Sequence, residues 1–384
     1  MTEHLVILTG EYPPQHGGVS DYTRLLATRL AALGNAVTIF APPAAVEKTP
    51  ALAVAVCRLP DHFGPRGLVR LSQALALEPR RTRLLVQYVP HAFGWKAMNV
   101  PFCFWVLWRK FRHRNRIDVM FHEIVFPLPR RPLRHAVLGI VTRGMAALLL
   151  WAADRVFVST PAWYPHARRW GPAGLPCEWL PIPSNIPADP DPAAIAIARA
   201  HATGGNPAAR VVGHFGTYGD LITSGLQTGI ARLLDARPEV RVLLIGDGDG
   251  FRANLLKAVP GISDRVLVTG RLPADGVSAH LCACDLVMQP FPDGVSARRT
   301  SLMAAIANGV PVVTSDGDLT EPVWRGVPGI TLVPAGEDLR LGDAASKLLA
   351  NPATLAELRH SVREFYERHF SMERTVRALC GSAE

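Results

Sequence analysis

Gly213-His214-Phe215-Gly216-Thr217-Tyr218-Gly219 decides the fold when it is read with the apolar run that enters it from Arg210. It is a short β-rich strand that stops at glycine where a helical stretch begins. Leu243-Leu244-Ile245-Gly246-Asp247-Gly248 and Val268-Thr269-Gly270-Arg271 repeat the arrangement. Strands alternating with helices in this way demand parallel pairing, because a parallel strand is reached through a crossover helix. Outward from this stretch the predicted strands are 210–215, 240–245, 265–269, 286–289, 311–314 and 329–333. An earlier series occupies 5–9, 36–40, 53–58, 83–88, 117–121 and 155–159. Between the two stands Pro181-Ile182-Pro183-Ser184-Asn185-Ile186-Pro187, followed by abundant Pro, Ala and Gly, which is a linker composition. The fold class expected is α/β with two Rossmann-like domains. The first covers 1–185, a linker 186–208, the second domain 209–365, and a C-terminal helix over 366–384 packs back on the first.

A chain of 384 residues suits two such domains, and 48% hydrophobic against 19% charged residues fits folded protein throughout. The six cysteines (Cys57, Cys103, Cys177, Cys282, Cys284 and Cys380) show neither zinc-site nor disulfide spacing, which points to a reducing cytoplasm. No signal peptide is expected, since His4-Leu5-Val6-Ile7-Leu8 reads directly as a strand. The apolar run 136–153 contains Arg143 and is closed by Asp154, so a buried helix is expected there rather than a membrane span. Net charge is +9, and residues 1–180 hold 22 Lys/Arg against 10 Asp/Glu. The whole excess therefore sits in the first half, which suggests a polyanionic partner: phospholipid headgroups, a pyrophosphate-linked acceptor or nucleic acid.

The loop Thr9-Gly10-Glu11-Tyr12-Pro13-Pro14-Gln15-His16-Gly17-Gly18-Val19 carries two glycines where strand one turns into a helix. Tyr22, Leu25, Leu26, Leu30 and Leu33 mark one face of that helix, and Gly34 stops it. Two readings stay open for Gly17-Gly18: backbone amides that receive an anion, or a tight turn requiring positive φ. Val119-Met120-Phe121-His122-Glu123 places a histidine just past a strand end, at the carboxyl edge where open α/β sheets bind ligands.

After the third glycine motif come Cys284-Asp285-Leu286-Val287-Met288-Gln289-Pro290-Phe291 and then Asp293-Gly294-Val295-Ser296-Ala297-Arg298-Arg299-Thr300-Ser301-Leu302-Met303. The series leads on through Ala307-Asn308-Gly309-Val310-Pro311-Val312-Val313-Thr314 to Gly317 and Glu321. In order and spacing the chain resembles retaining glycosyltransferase family 4, over nearly its whole length. The resemblance implies the GT-B fold, two Rossmann-like domains with parallel sheets facing a central cleft. It also implies a nucleotide-sugar donor held mainly by the second domain and an acceptor held mainly by the first.

On that resemblance His122, Asp293, Arg298 and Arg299 are the candidate catalytic residues. Gly17, Gly18, Gly216, Thr217, Tyr218, Gly246, Arg271, Gly294, Val295, Ser296, Ser301 and Glu321 are candidates for the donor, and Tyr12 and His16 for the acceptor. A loop 293–296 opening a helix would offer amides and a positive dipole end to a pyrophosphate, and arginine adds a planar fork of donors. The chain departs from the family in lacking two glutamates eight residues apart. Matching Asp293 to the first puts Ser301 at the second, whereas counting back from Asn308-Gly309 puts Ser296 and Ala304 there. The basic residue that often follows the first loop of the second domain is missing too, since Asp220-Leu221-Ile222-Thr223-Ser224 has none.

Residues 101–116 combine aromatic and basic side chains. As a helix, Phe104, Trp108 and Phe111 share one face and Arg109, Arg112 and Arg116 another. Two readings stay open: a crossover helix packing its aromatic face on the sheet with arginines in water, or an interfacial helix resting on anionic lipid, with Arg130, Arg131 and Arg134 extending the patch.

The function expected is transfer of a hexosyl group from a UDP- or GDP-sugar to a hydroxyl of a glycan or lipid-linked saccharide, with retained configuration, in cell-surface polysaccharide or glycolipid synthesis. No cofactor, metal or nucleic acid is expected, and the location expected is cytoplasmic, peripheral on the membrane. The rival readings are a nucleotide-sugar isomerase or hydrolase on the same scaffold, and a non-catalytic basic membrane- or nucleic-acid-binding protein.

Overall fold

Strand β1 (His4–Thr9) starts an alternation that continues through α1 (Gly18–Ala32), β2 (Ala36–Ala41), β3 (Ala55–Arg58), α2 (Pro65–Leu77) and β4 (Thr82–Tyr88). It then runs through α3 (Val100–His113), β5 (Arg116–Phe121), α4 (Leu133–Ala152), β6 (Arg155–Val158), α5 (Tyr164–Trp170) and β7 (Cys177–Trp179). The computed structural model describes residues 4–15, 17–44, 54–78, 81–126, 128 and 133–381. The chain divides into two units, Met1–Ile182 with Thr375–Glu384, and Pro183–Arg374.

In the first unit the seven strands among the described residues are all parallel, in the order β3-β2-β1-β4-β5-β6-β7, with Ile7 opposite Ile39 on one side and Leu85 on the other. Alternate residues point to opposite faces of a strand. Val6, Leu8, Leu84, Val86, Val119 and Phe121 accordingly join Phe102, Val106, Met145 and Leu149 of α3 and α4 in one core. Edge strand β7 was not among the expected strands. Its three residues, Cys177-Glu178-Trp179, are too few and too exposed to show a hydrophobic period.

Two helices depart from the sequence reading. α3 buries Phe102, Cys103, Trp105, Val106 and Arg109, and turns Phe104, Trp108 and Phe111 to solvent. Of the two readings left open, the one that packs this aromatic triad on the sheet is therefore overturned. Burial of Arg109 follows from its partners, since Nε donates to Asn115 Oδ1 at 2.9 Å and the guanidinium lies over the Trp105 ring. α4 is only partly the buried helix expected. Met145, Ala146, Leu149 and Leu150 are in the core, while Val137, Ile140 and Trp151 are exposed. By length and composition Arg134–Ala152 would suffice to cross a membrane. Arg143 avoids isolation by donating to the carbonyls of Phe126 and Gly139. Arg130 and Arg131 lie outside the described residues.

The second unit contains α6 (Pro192–Thr203), β8 (Arg210–Phe215), α7 (Asp220–Ala236), β9 (Val240–Ile245), α8 (Asp249–Ala258), β10 (Val266–Val268) and α9 (Ala274–Cys282). β11 (Leu286–Gln289), α10 (Thr300–Ala307), β12 (Val312–Asp316), β13 (Ile330–Pro334), α11 (Asp338–Leu349) and α12 (Pro352–Phe370) complete it. Its six parallel strands run β10-β9-β8-β11-β12-β13. Helix α6 occupies much of the stretch expected as linker. Asp191 caps it, and its Arg199 is held by Asp285 and the carbonyls of Ala209 and Ala283. The stretch thus belongs to the second unit despite its linker-like composition.

The final helix, α13 (Met372–Cys380), spans the boundary at Thr375. In the first unit, Arg83 and Arg155 both donate to the Leu379 carbonyl, at 2.6 and 3.1 Å, and both pair with the fully buried Asp118. Cations at a helix C-terminus satisfy its orphan carbonyls and complement its dipole.

Candidate functional site

In the second unit the candidate residues gather at the carboxyl edge of the sheet, where the strand ends supply loops. β8 runs into Gly216-Thr217-Tyr218-Gly219, and Tyr218 takes a left-handed φ of 54°. Its hydroxyl turns inward, donating to the carbonyls of His214 and Ile245 at 3.2 and 3.3 Å, and its ring stacks on Phe251. Tyr218 therefore braces this loop from beneath. Gly246, past β9, has a φ of 116°, and a Cβ there would lie 2.8 Å from the Gly216 carbonyl oxygen. Only glycine lets these two loops meet. Arg271 pairs with Asp247 at 3.3 Å in an exposed contact. Such surface pairs fix little.

The loop after β11 was expected to hold its amides open for an anion, but it spends most of them internally. The Gly294 amide donates to Phe291, Val295 to Ser315, Arg299 to Ser296, and Ala297 to the Glu321 carboxylate. The helix itself starts only at Thr300, and no side chain caps it. Anion-ready amides accordingly belong to the first turn of α10, which includes Ser301, rather than to residues 293–296. Gly294 has a φ of 91° and packs so tightly on Gly317 that a Cβ would lie 2.5 Å from the Gly317 nitrogen. The loop is thereby locked to the one that follows β12.

Asp293 and Arg299, both read in the sequence as candidate catalytic residues, are paired with each other, and the Arg299 guanidinium lies 4.7 Å from the centre of the Phe291 ring. Arg298 is half-buried beside them, and Ser296 is buried with its Oγ lacking a hydrogen-bond partner. Glu321 is also buried, and Trp324 Nε1 donates to it at 2.7 Å in addition to the Ala297 amide. Its geometry is that of a brace for the loop that carries Arg298 and Arg299. Trp324 in turn stacks on Phe370. Nothing in the sequence motifs announced Trp324.

In the first unit the carboxyl edge holds His122, whose imidazole Nε2 lies 2.7 Å from Gln87 Oε1 and whose ring meets Tyr22 edge-on. Burial pushes its pKa down to about 3, so the ring is neutral at ordinary pH. His214 of the second unit is likewise buried, bonded to the Met288 carbonyl and pushed down to about 4. Tyr12, expected on the acceptor side, is 2% exposed and lies under the Arg58 guanidinium, so its ring belongs to the core. His16 lies outside the described residues. Neither glycine of the Gly17-Gly18 pair is left-handed: Gly17 is extended at the N-cap of α1, over the Glu11 carboxylate, and Gly18 is the first helical residue.

Sequence reading missed a second pair, between the buried Glu11 and the exposed His91. His91 Nε2 lies 3.3 Å from Glu11 Oε1. The Glu11 hydrogen bond, with the charges of Glu11 and Glu123, holds the imidazole above its ordinary pKa against the opposing pull of burial. Glu11 lies inside a loop read for its glycines, and His91 follows Pro90 in a segment assigned to no element. Among the described residues no group of three or more His, Cys, Asp or Glu side chains gathers for a metal ion.

Residues 212–351 match the family described as "Glycosyl transferases group 1". The phosphatidyl-myo-inositol mannosyltransferase of Mycobacterium leprae is 26% identical over 352 residues, covering 87% of this chain and 84% of the relative. The 2-deoxystreptamine glucosyltransferase of Streptomyces kanamyceticus is 29% identical over 255 residues, covering 64% of this chain and 60% of the relative. Among solved structures, Anabaena Alr3699/HepE in complex with UDP and glucose superposes with a TM-score of 0.69 at 16% identity, over 98% of both chains. The two parallel-sheet Rossmann-like units have the GT-B fold, and the glycosyl transferases group 1 match within the second unit, together with the two relatives, makes the chain a glycosyltransferase.

Proposed function

We propose that the chain transfers a hexosyl group from a nucleoside diphosphate sugar to a hydroxyl of a glycan or lipid-linked saccharide, with retention of anomeric configuration. The observation that carries the donor assignment is the uncapped first turn of α10, with Arg298 and Arg299 immediately before it. Backbone amides and a helix dipole stand there next to two arginines in sequence, and these are the kinds of donor a pyrophosphate requires. The relatives named above transfer mannosyl and glucosyl groups by their names, and the Anabaena structure holds UDP and glucose. On this reading UDP is the first diphosphate to test. The acceptor is assigned to the first unit, at the sheet edge where His122 and the Glu11–His91 pair stand.

In the step we propose, the bond from the anomeric carbon to the diphosphate oxygen breaks while the acceptor oxygen bonds to that carbon on the same face. The acceptor proton passes to the departing phosphate oxygen. Arg298, Arg299 and the α10 amides offset the charge that develops on the diphosphate, so the proposal requires no metal ion or cofactor for that purpose. Calorimetric titration with UDP and GDP, on the wild type and on Arg298→Ala and Arg299→Ala, tests the assignment. A loss of about tenfold or more in affinity is expected for each variant. Undiminished affinity in both refutes the phosphate site, and donor turnover indifferent to any acceptor refutes transfer in favour of hydrolysis or isomerisation.

A further inference from the structure

Helices α3 and α4 lie side by side on one face of the first sheet, and their outward faces are apolar. Phe104 and Phe111 of α3 are 57% and 69% exposed, and Ile140 and Trp151 of α4 are 62% and 54% exposed. These four residues line a single groove of about 570 Å³ in which every lining residue is apolar. A monomeric soluble protein seldom leaves so many large apolar side chains together in water. The inner faces of both helices are committed to the core through Phe102, Val106, Met145 and Leu149, so neither helix is free to leave the sheet and cross a bilayer.

Charge says what covers this face. Neither α3 nor α4 carries an aspartate or glutamate. The last turn of α3 adds Lys110, Arg112 and His113, and Arg114 follows at its C-cap. Lys110 and Arg114 also line a second cavity of about 370 Å³ with Arg81 and Arg116, where Asp154 is the sole acidic residue and is engaged by Lys110. Arg134 is exposed at the opposite end of α4. Apolar residues between cations of one sign describe a surface that inserts side chains among acyl chains while its rim meets anionic headgroups. A second copy of this chain fits less well, because a two-fold contact would bring like-charged rims together.

We propose that the α3–α4 face seats the first unit on an anionic lipid surface, with Phe104, Phe111, Ile140 and Trp151 inserted and the Lys110–Arg114 turn set against lipid phosphates. The seat is independent of the glycosyl-transfer reading, since it lies on a helix face and not at the strand ends assigned to substrates. It acts as a surface contact that holds the protein at an anionic membrane.

Flotation of the full chain with phosphatidylcholine vesicles and with mixed phosphatidylcholine–phosphatidylglycerol vesicles tests it, alongside sedimentation velocity of the protein alone. Binding to the mixed vesicles is expected to exceed binding to the neutral ones by about tenfold or more and to fall as salt rises. Phe104→Ser with Phe111→Ser should abolish binding to both, at unchanged UDP affinity and unchanged circular dichroism. Arg112→Glu with Arg114→Glu should remove the preference for anionic lipid. Equal binding to both vesicle types, or none to either, overturns the proposal. So does a dimer in solution that the double phenylalanine variant dissociates, because the groove is then an interface between copies.

Discussion

The Glu321 carboxylate receives the Ala297 backbone amide on both of its oxygens, at 3.0 and 3.2 Å, and holds the loop that carries Arg298 and Arg299. Trp324 Nε1 donates to the same carboxylate from a fully buried ring. Removing the acceptor leaves two buried donors unsatisfied, each costing about 1–3 kcal/mol. Glu321→Ala is therefore expected to lower unfolding stability by about 2–5 kcal/mol and to weaken UDP binding through disorder of the loop. Glu321→Gln retains one acceptor oxygen and should lose less than half as much. Urea denaturation of both variants, paired with UDP titration, measures the two effects. Stability loss in Glu321→Ala with untouched UDP affinity would separate the brace from the binding site.

Asp293 and Arg299 make a second relationship that the sequence did not show, since an ion pair between them competes with any phosphate for the guanidinium. Phe291 keeps Arg299 in place from below. Asp293→Ala removes the competitor, so UDP affinity is expected to stay equal or rise severalfold. A sugar-contacting carboxylate would be lost at the same time, so transfer from UDP-sugar should fall while UDP binding does not. A fall in both would mean that Asp293 acts only by holding Arg299.

Most of the parallel-sheet architecture was legible because a buried parallel strand is a short apolar run, and twelve such runs alternate with helical stretches, the runs 5–9, 210–215, 240–245 and 265–269 ending directly at glycine. The strand that escaped, β7, has an exposed glutamate at its centre. The helix α6 escaped because alanine and proline read as linker, while the Arg199–Asp285 bond that anchors it joins residues far apart in sequence. The site was half legible. Gly246 and Gly294 marked loops at strand ends, but that Gly246 packs on Gly216 and Gly294 on Gly317, and whether an amide faces an anion or a neighbouring carbonyl, depends on tertiary partners such as Ser315 and Glu321. Helical periodicity sorted α3 into an aromatic and a basic face without saying which face meets the sheet. Trp105 and Phe102, outside the aromatic triad, decided that.

Asp118 is fully buried between Arg83 and Arg155 at the amino end of β5. Arg83 is itself 7% exposed, so removal of the carboxylate leaves a buried cation without its counter-charge. Breaking a buried pair from one side costs about 3–5 kcal/mol. Asp118→Ala is expected to lose about that much. It should also loosen the last turn of α13, whose Leu379 carbonyl both arginines hold. Amide hydrogen exchange would show the second effect as faster exchange over 375–380 than over β8, and uniform exchange across both segments would count against the link.

His122 and His214 each contribute to acid sensitivity in their own unit. Burial has pushed His122 down to about 3 and His214 down to about 4. An unfolded histidine titrates near about 6.5, so between the folded and unfolded values the unfolded chain binds more protons. Stability is therefore complete above about pH 6.5 and is lost as pH falls toward the folded values, at about 1.4 kcal/mol per pH unit for each ring. His91, raised by Glu11, has the opposite sign, contributing below its unfolded pKa and losing that contribution as pH rises through its folded value, though its exposure keeps the effect small. Denaturant unfolding from about pH 7.5 to about pH 4.5 should show the first unit of His122→Gln losing stability less steeply than wild type, and the second unit unchanged. Parallel slopes for the two proteins would mean that His122 is charged in the folded state. In that case the Gln87 contact would have to be an ion–dipole bond made by an imidazolium rather than a bond to a neutral ring.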